Sequence, residues 1–376
     1  MAEKRKFVGS DLRRAVARMI CIGFDGKTIP PHVVSLLDRG IGAVVLFRRN
    51  VESPGQFAAL CAELKRRAVH PLPIAIDQEG GRVMRLRGGG FTPVPSMREL
   101  GRTGDPELAR QVGRLLARES RAVNVDWVLA PVLDVDTNPN NPVIADRSLG
   151  KHPQLVADLG CALIAGIQSA AVAACGKHFP GHGDTWQDSH LTLPVLEHDL
   201  DRLQRIELPP FQAAVRAGVA TIMSAHVLFR KLDAHYPATM SHTILQGLLR
   251  DQMQFHGLLI SDDMEMKAIA SHYGFEEAIV LGTLAGIDLF AICHSPELQN
   301  QAIDILIRAV ESGRVPVERV IQANRRLDAL CRRYVAEPTD SPDLSVIGCE
   351  QHLAIAQRVR SHCSDAMPTP ADPTER

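Results

Sequence analysis

Residues 155–178 read LVADLGCALIAGIQSAAVAACGKH and set one helix-like stretch directly before one strand-like run. Over 155–169 the apolar residues recur at helical spacing. The run 171–175 is short, apolar on both sides, and matches a strand covered by helices on one face and a packed interior on the other. Lys177 and His178 then put polar chemistry at its end. Working outward, the same apolar signature recurs at 19–22, 43–47, 73–76, 127–130, 220–224, 258–260 and 287–292, which makes eight runs. Helix-like segments separate them, among them 54–69, 106–122, 201–217, 242–254 and 275–285. Strands alternating with helices imply a parallel sheet. Eight of them in one domain predict a closed (β/α)8 barrel of the TIM type rather than an open sheet.

The rest of the chain is consistent with one large soluble domain. It has 376 residues, 45% hydrophobic and 23% charged, with a formal charge of −1. That mix excludes wholesale disorder, and the near-zero charge argues against nucleic acid as a partner. No apolar run reaches the ~20 residues that span a bilayer. The basic start MAEKRKFVGSDLRRAVARM lacks an apolar core of signal-peptide length and a small-residue cleavage site, so a cytoplasmic location is expected. Eight scattered cysteines without a CxxC pair read as reduced, mostly buried thiols. Segments 296–312 and 317–334 complete an outer ring of helices. From residue 336 the composition shifts to Pro, Thr, Asp and Ser, so residues 1–335 are read as the barrel and 336–376 as a partly disordered extension with one short helix at 351–360.

Polar residues follow at least five of the eight runs: Asp77 and Glu79, Asp134 and Asp136, Lys177 and His178, His226, and Asp262 and Asp263. One such residue is ordinary loop charge, but five positions together mark the C-terminal rim, where barrels of this kind gather chemistry. The loop 176–193 is too long for a simple connection and reads as a lid or catalytic loop. Asp262 and Asp263 adjoin on a strand end, so alternation lets only one face the pocket while the other caps a helix or binds backbone. A carboxylate there could act as nucleophile, general base, metal ligand or simple cap. In Asp188-Ser189-His190 the Asp can fix one imidazole nitrogen and raise the pKa of the His, leaving a proton to donate near neutrality; taken alone, the residues fit a loop Asx-turn with an exposed His better. Lys177, His178, Asp77 and Arg82 suit a neutral, hydroxyl-rich ligand, the alternative being an ion-pair network that only braces the rim. The Gly80-Gly81 pair fits either backbone approach to a ligand or a tight turn.

Four motifs, DQEGGRVMRL (77–86), LAPVLDVDTNPNNPVIADRSLG (129–150), KHFPGHGDTWQDSH (177–190) and ISDDMEM (260–266), together resemble glycoside hydrolase family 3, and within it the single-domain β-N-acetylglucosaminidases of bacterial peptidoglycan recycling. The resemblance runs from about residue 19 to 335. It implies a retaining exo-β-N-acetylglucosaminidase acting on GlcNAc-anhydroMurNAc-peptide or related small muropeptides, a monomer needing no cofactor or metal. It implies Asp262 as nucleophile and His190 with Asp188 as the acid/base pair. It implies Asp77, Arg85, Arg147, Lys177 and His178 as the residues that hold the sugar ring. One departure, SDDMEM where the family often reads SDDLSM, falls just after the nucleophile. Two other classes fit the residues less well: a metal-dependent hydrolase using His178, His182, Asp184, Asp188 and His190, and a sugar-binding protein without catalysis. The first strand ends in CIGFDG and offers no HxH pair to anchor a metal.

Overall fold

In a computed structural model, residues 9–186, 192–339, 341–362 and 372 are described. Eight parallel strands close into a barrel: β1 (Ile20–Ile22), β2 (Ala43–Leu46), β3 (Ile74–Ile76), β4 (Trp127–Val128), β5 (Ala173–Phe179), β6 (Thr221–Ser224), β7 (Leu258–Asp263) and β8 (Leu289–Ile292). Each strand pairs with its neighbour in sequence and β8 returns to β1, with Ile20 opposite Phe290. All eight expected runs are strands, and the barrel is closed as expected.

The interior is packed around one large side chain. Trp127 lies among Ala43, Ala75, Ala173 and Ala291, and its indole N–H donates to Thr221 Oγ1 at 2.9 Å. Leu327, Leu330 and Tyr334 of the helix Val317–Tyr334 join the same cluster. A second, larger apolar layer lies between strands and outer helices. The N-terminal ends of the strands carry structural ion pairs. Asp126, just before β4, meets Lys65 at 2.7 Å and Arg121 at 2.6 Å; Asp288, just before β8, meets Arg250 at 2.7 Å and Arg326 at 2.8 Å. Stability groups thus sit at one end of the barrel and leave the other for the site.

Two expectations change. The segment 201–217 is two helices, Leu200–Arg205 and Leu208–Arg216, because Pro209 and Pro210 have no N–H to continue the first and are tolerated only in the opening turn of the second. Strand β5 continues through Lys177 and His178 to Phe179, so the long loop begins at Pro180 rather than Gly176. Helices not anticipated are Gly9–Ala17, Pro31–Arg39, Met97–Thr103 and the short Lys267–Ala270. In the extension, helix Glu350–Ser361 packs on Met97–Thr103 and Pro106–Ala122. Among the described residues no helix is long and apolar enough to cross a membrane, and seven cysteines are free thiols.

Candidate active site

A cavity of about 240 Å³ opens at the C-terminal ends of the strands. Asp77, Arg85, Arg147, Lys177, His178 and Asp262 all line it. The fold thus gathers the six described residues that the resemblance implies for the site, while Glu79, Arg82, Asp134, Asp136 and His226 stay outside the lining, Arg82 paired with Asp146 at 2.8 Å. Asp188 and His190 lie outside the described residues.

One wall is an ion cluster carried by β3, β5 and the loop after β4. Lys177 Nζ lies 2.8 Å from Asp77 Oδ1 and 2.6 Å from Glu79 Oε1. Arg147 makes a two-pronged contact with Glu79, Nε to Oε2 and Nη2 to Oε1, both at 2.8 Å. Arg85 Nη2 donates to Asp77 Oδ2 at 3.2 Å. Burial alone would push the carboxyls up, but Lys177 and Arg85 hold Asp77 far below the usual range, and Arg147 and Lys177 hold Glu79 at about 2. Burial likewise opposes the charge on Lys177, and Asp77 and Glu79 outweigh it. All five groups are therefore charged at neutral pH. Glu79 was visible in sequence only as a rim residue. It is the hub of this wall and stays behind it, outside the cavity lining.

Asp134 braces the adjoining segment. Its carboxylate takes His178 Nδ1 at 2.7 Å and the His182 backbone N–H at 2.7 Å. The Nδ1 nitrogen thus carries the proton, and Nε2 is the nitrogen left to meet a ligand. Beyond Phe179 the loop is held closely: Asn141 donates to His182 O, Asn138 to Thr185 O, and Asp184 Oδ2 lies 2.8 Å from His198. A side chain on Gly183 would lie 1.8 Å from Val135 O, so only Gly fits that approach. Burial, with His178 nearby, lowers His182 to about 4, so it is neutral near pH 7. Its Nδ1 pairs with Thr185 Oγ1. His178, His182 and Asp184 of the metal-ligand alternative thus face three different partners, and among the described residues no three His, Cys, Asp or Glu side chains form a group able to hold a metal ion.

The opposite wall comes from β7 and β8. In the ring of eight, β7 stands four places from β3, so Asp262 faces the ion cluster across the mouth. The alternation argument allowed only one of Asp262 and Asp263 into the cavity, but both line it. The pairing of β7 with β8 slips between Ile260 and Asp263, and such an irregularity breaks the two-residue period. Asp263 also binds backbone as expected, accepting from Glu265 N at 3.2 Å and Cys293 N at 3.3 Å. His226 joins through Nε2, 3.1 Å from Asp263 O. Glu265, the departure in SDDMEM, accepts from the N–H groups of His294 at 2.6 Å and Ser295 at 2.8 Å and so ties the turn after β7 to the loop after β8. The apolar floor (Cys21, Val45, Leu129, Met223, Ile260, Ala291) and Phe47 carried no sequence signal, since they belong to runs read as core, and the partner of Phe47 at the rim, His294, lies just past the eighth run. Gly80 and Gly81, at φ +113° and +59°, make a tight turn between the short strands Gln78–Gly80 and Val83–Met84, which decides between the two readings of that pair.

Comparison with known proteins agrees with this geometry. The glycosyl hydrolase family 3 N terminal domain matches residues 12–330. A β-hexosaminidase of Thiobacillus denitrificans is 43% identical over 274 residues, 71% of this chain and 76% of that protein. A β-hexosaminidase of Neisseria meningitidis is 40% identical over 71% of this chain and 75% of its own length. Among solved structures, a family 3 β-N-acetylglucosaminidase from Paenibacillus superposes with a TM-score of 0.89 at 40% identity, covering 93% of this chain and 68% of that one. NagZ from Neisseria gonorrhoeae, solved with N-trifluoroacetyl-D-glucosamine, gives 0.79 at 32% identity, covering 92% and 98%.

Proposed function

We infer that this chain, which belongs to glycoside hydrolase family 3 and is a glycoside hydrolase of the β-hexosaminidase type, removes a terminal non-reducing N-acetylglucosamine with retention of configuration. The observation that carries the reading is the arrangement across the barrel mouth: Asp77, Arg85, Arg147 and Lys177 on one side, Asp262 on the other, and one cavity between them. The binding of an N-acylglucosamine by NagZ of Neisseria gonorrhoeae supports the choice of sugar.

In the first step Asp262 attacks the anomeric carbon as the leaving-group oxygen takes a proton from His190, so the glycosidic bond breaks and a glycosyl-enzyme ester forms. In the second step His190 takes a proton from water, the water oxygen attacks the same carbon, and the ester bond to Asp262 breaks. His182, neutral and bonded to Thr185, is a poor donor for this work. His190, with Asp188 to hold its proton, is the better one. Asp77, Arg85, Arg147, Lys177 and His178 hold the ring. The natural substrates are GlcNAc-anhydroMurNAc-peptide or similar small muropeptides of peptidoglycan recycling, met by a cytoplasmic monomer. Residues 1–335 form its catalytic barrel and 336–376 an extension. The test is hydrolysis of aryl N-acetylglucosaminide beside aryl glucoside, with the first-formed anomer read by NMR. Preference for the N-acetyl substrate and a β product are expected; an α product, or preference for the glucoside, refutes the reading.

A further inference from the structure

The C-terminal extension returns to the site at one described residue. The Asp372 carboxylate ion-pairs with Arg85 Nη1, while Asp77 accepts from Nη2 of the same guanidinium. The two partners stand 287 residues apart in sequence. The pair is closed to solvent, with the Arg85 side chain 1% exposed and that of Asp372 2%. Arg85 lines the cavity and Asp372 does not.

We propose that Asp372 is a positioning residue of the sugar site: its carboxylate and that of Asp77 hold the Arg85 guanidinium from two edges, so Asp372 braces from behind a wall that the barrel supplies. A guanidinium is planar and binds directionally. Asp77 meets one edge of the guanidinium, at 3.2 Å, and the Phe47 ring lies 5.8 Å from its central carbon. A second carboxylate on another edge fixes the plane before the sugar arrives, so that binding does not have to order it. Burial by itself would work against the Arg85 charge, and Asp77 together with Asp372 outweighs that cost. Because Asp372 lies outside the cavity lining, it acts through Arg85 and does not compete for the ligand's place.

The inference rests on the reading of Arg85 as a sugar-holding residue, and the experiment separates the two. Asp372→Asn, Asp372→Glu, Arg85→Lys and the double variant Arg85→Lys/Asp372→Asn are made in the full chain. KM and kcat are measured with an aryl N-acetylglucosaminide, and thermal midpoints establish that each variant is folded. Asp372→Asn is expected to raise KM about tenfold, the equivalent of one ordered charge-assisted contact. The value of kcat should fall by less than KM rises, since Arg85 is one of several contacts that place the ring. Asp372→Glu should recover part of the loss. In the Arg85→Lys background, Asp372→Asn should add nothing, because the group it positions is gone. An unchanged or lowered KM for Asp372→Asn overturns the inference, as do full additivity of the two changes and an equal fall in kcat. If Arg85→Lys itself leaves KM unchanged, the sugar-holding role of Arg85 fails; if Arg85→Lys raises KM and Asp372→Asn does not, only the positioning role fails.

Discussion

Glu79→Gln tests the ion cluster at its hub. Gln keeps the shape and one acceptor oxygen but loses the charge that faces Arg147 through two 2.8 Å bonds and Lys177 at 2.6 Å. Removing one partner of a buried ion pair costs about 3–5 kcal/mol, because the other charge is left without compensation. A second route gives a similar figure. A carboxyl whose ordinary value is 4.5 and which the fold holds at about 2 is an anion stabilised by about 3 kcal/mol. The expected loss at pH 7 is therefore about 3 kcal/mol, read as a fall in denaturant midpoint at unchanged slope. Its pH dependence has a fixed sign. The folded value lies below the unfolded one, so the contribution is complete above about pH 4.5 and fades as the pH falls toward 2. Wild type and variant should thus differ fully at pH 7 and at pH 6 and draw together below 4.5. A gap under about 1 kcal/mol at pH 7 would refute the hub role, and a gap unchanged at pH 3 would refute the charge as its cause. KM should rise as well, since Lys177 and Arg147 lose their shared anchor.

Asp262→Asn should leave the protein folded and abolish nearly all turnover, while Asp263→Asn, which loosens backbone contacts at Glu265 and Cys293, should cost less; the reverse order in steady-state kinetics would exchange the two assignments. His190→Ala should spare glycosyl-enzyme formation from an aryl substrate with a good leaving group and nearly stop cleavage of a sugar–sugar bond, giving a burst that azide then rescues. Equal loss on both substrates without rescue would remove His190 from the acid/base role. Asp134→Asn weakens the hold on His178 Nδ1 and the His182 amide; KM should rise and the His182 N–H should exchange faster with deuterium, and an unchanged exchange rate would show that the loop is held elsewhere.

The barrel was legible because each parallel strand is covered on both faces and so is written as an unbroken apolar run, such as AVVL in β2 or LFAI in β8. The polar residues ending these runs gave the rim, and with it the place of Asp77, Lys177, His178 and Asp262. What sequence could not give was pairing. Asp77, Glu79 and Asp134 are alike as rim carboxylates, yet the first lines the cavity, the second stands behind the cations and the third staples a loop. That division depends on which side chain of which strand comes within 3 Å, and local pattern holds no record of it. The same limit hid Asp372, whose partner is 287 residues away. The alternation rule failed at Asp262–Asp263 because the slip against β8 depends on a neighbour strand and not on the run itself. The break in 201–217, by contrast, was written in Pro209-Pro210 and was there to be read.

A neutral sugar offers hydroxyls and an amide, so a wall of buried charges needs a reason. Single hydroxyl contacts each contribute little, and flexible polar side chains would lose entropy on every one. Charges that pair with each other do not have that problem. Glu79 locks Lys177 and Arg147 from behind, and Lys177 and Arg85 lock Asp77, so the lone pairs of Asp77 and the N–H groups of the cations are set in place before a ligand enters. The cluster also lies opposite β7 in the ring of strands. On the proposed reading, a ring held there would present its anomeric carbon toward Asp262, and the energy gained from the distant hydroxyls would serve to place the reacting bond. It follows that substrates lacking one ring hydroxyl on the cluster side should lose kcat as well as affinity, whereas changes to the aglycone should act through the proton that His190 supplies. Deoxy-sugar substrates that changed KM alone, with kcat untouched, would show that the cluster only binds and does not place the ring.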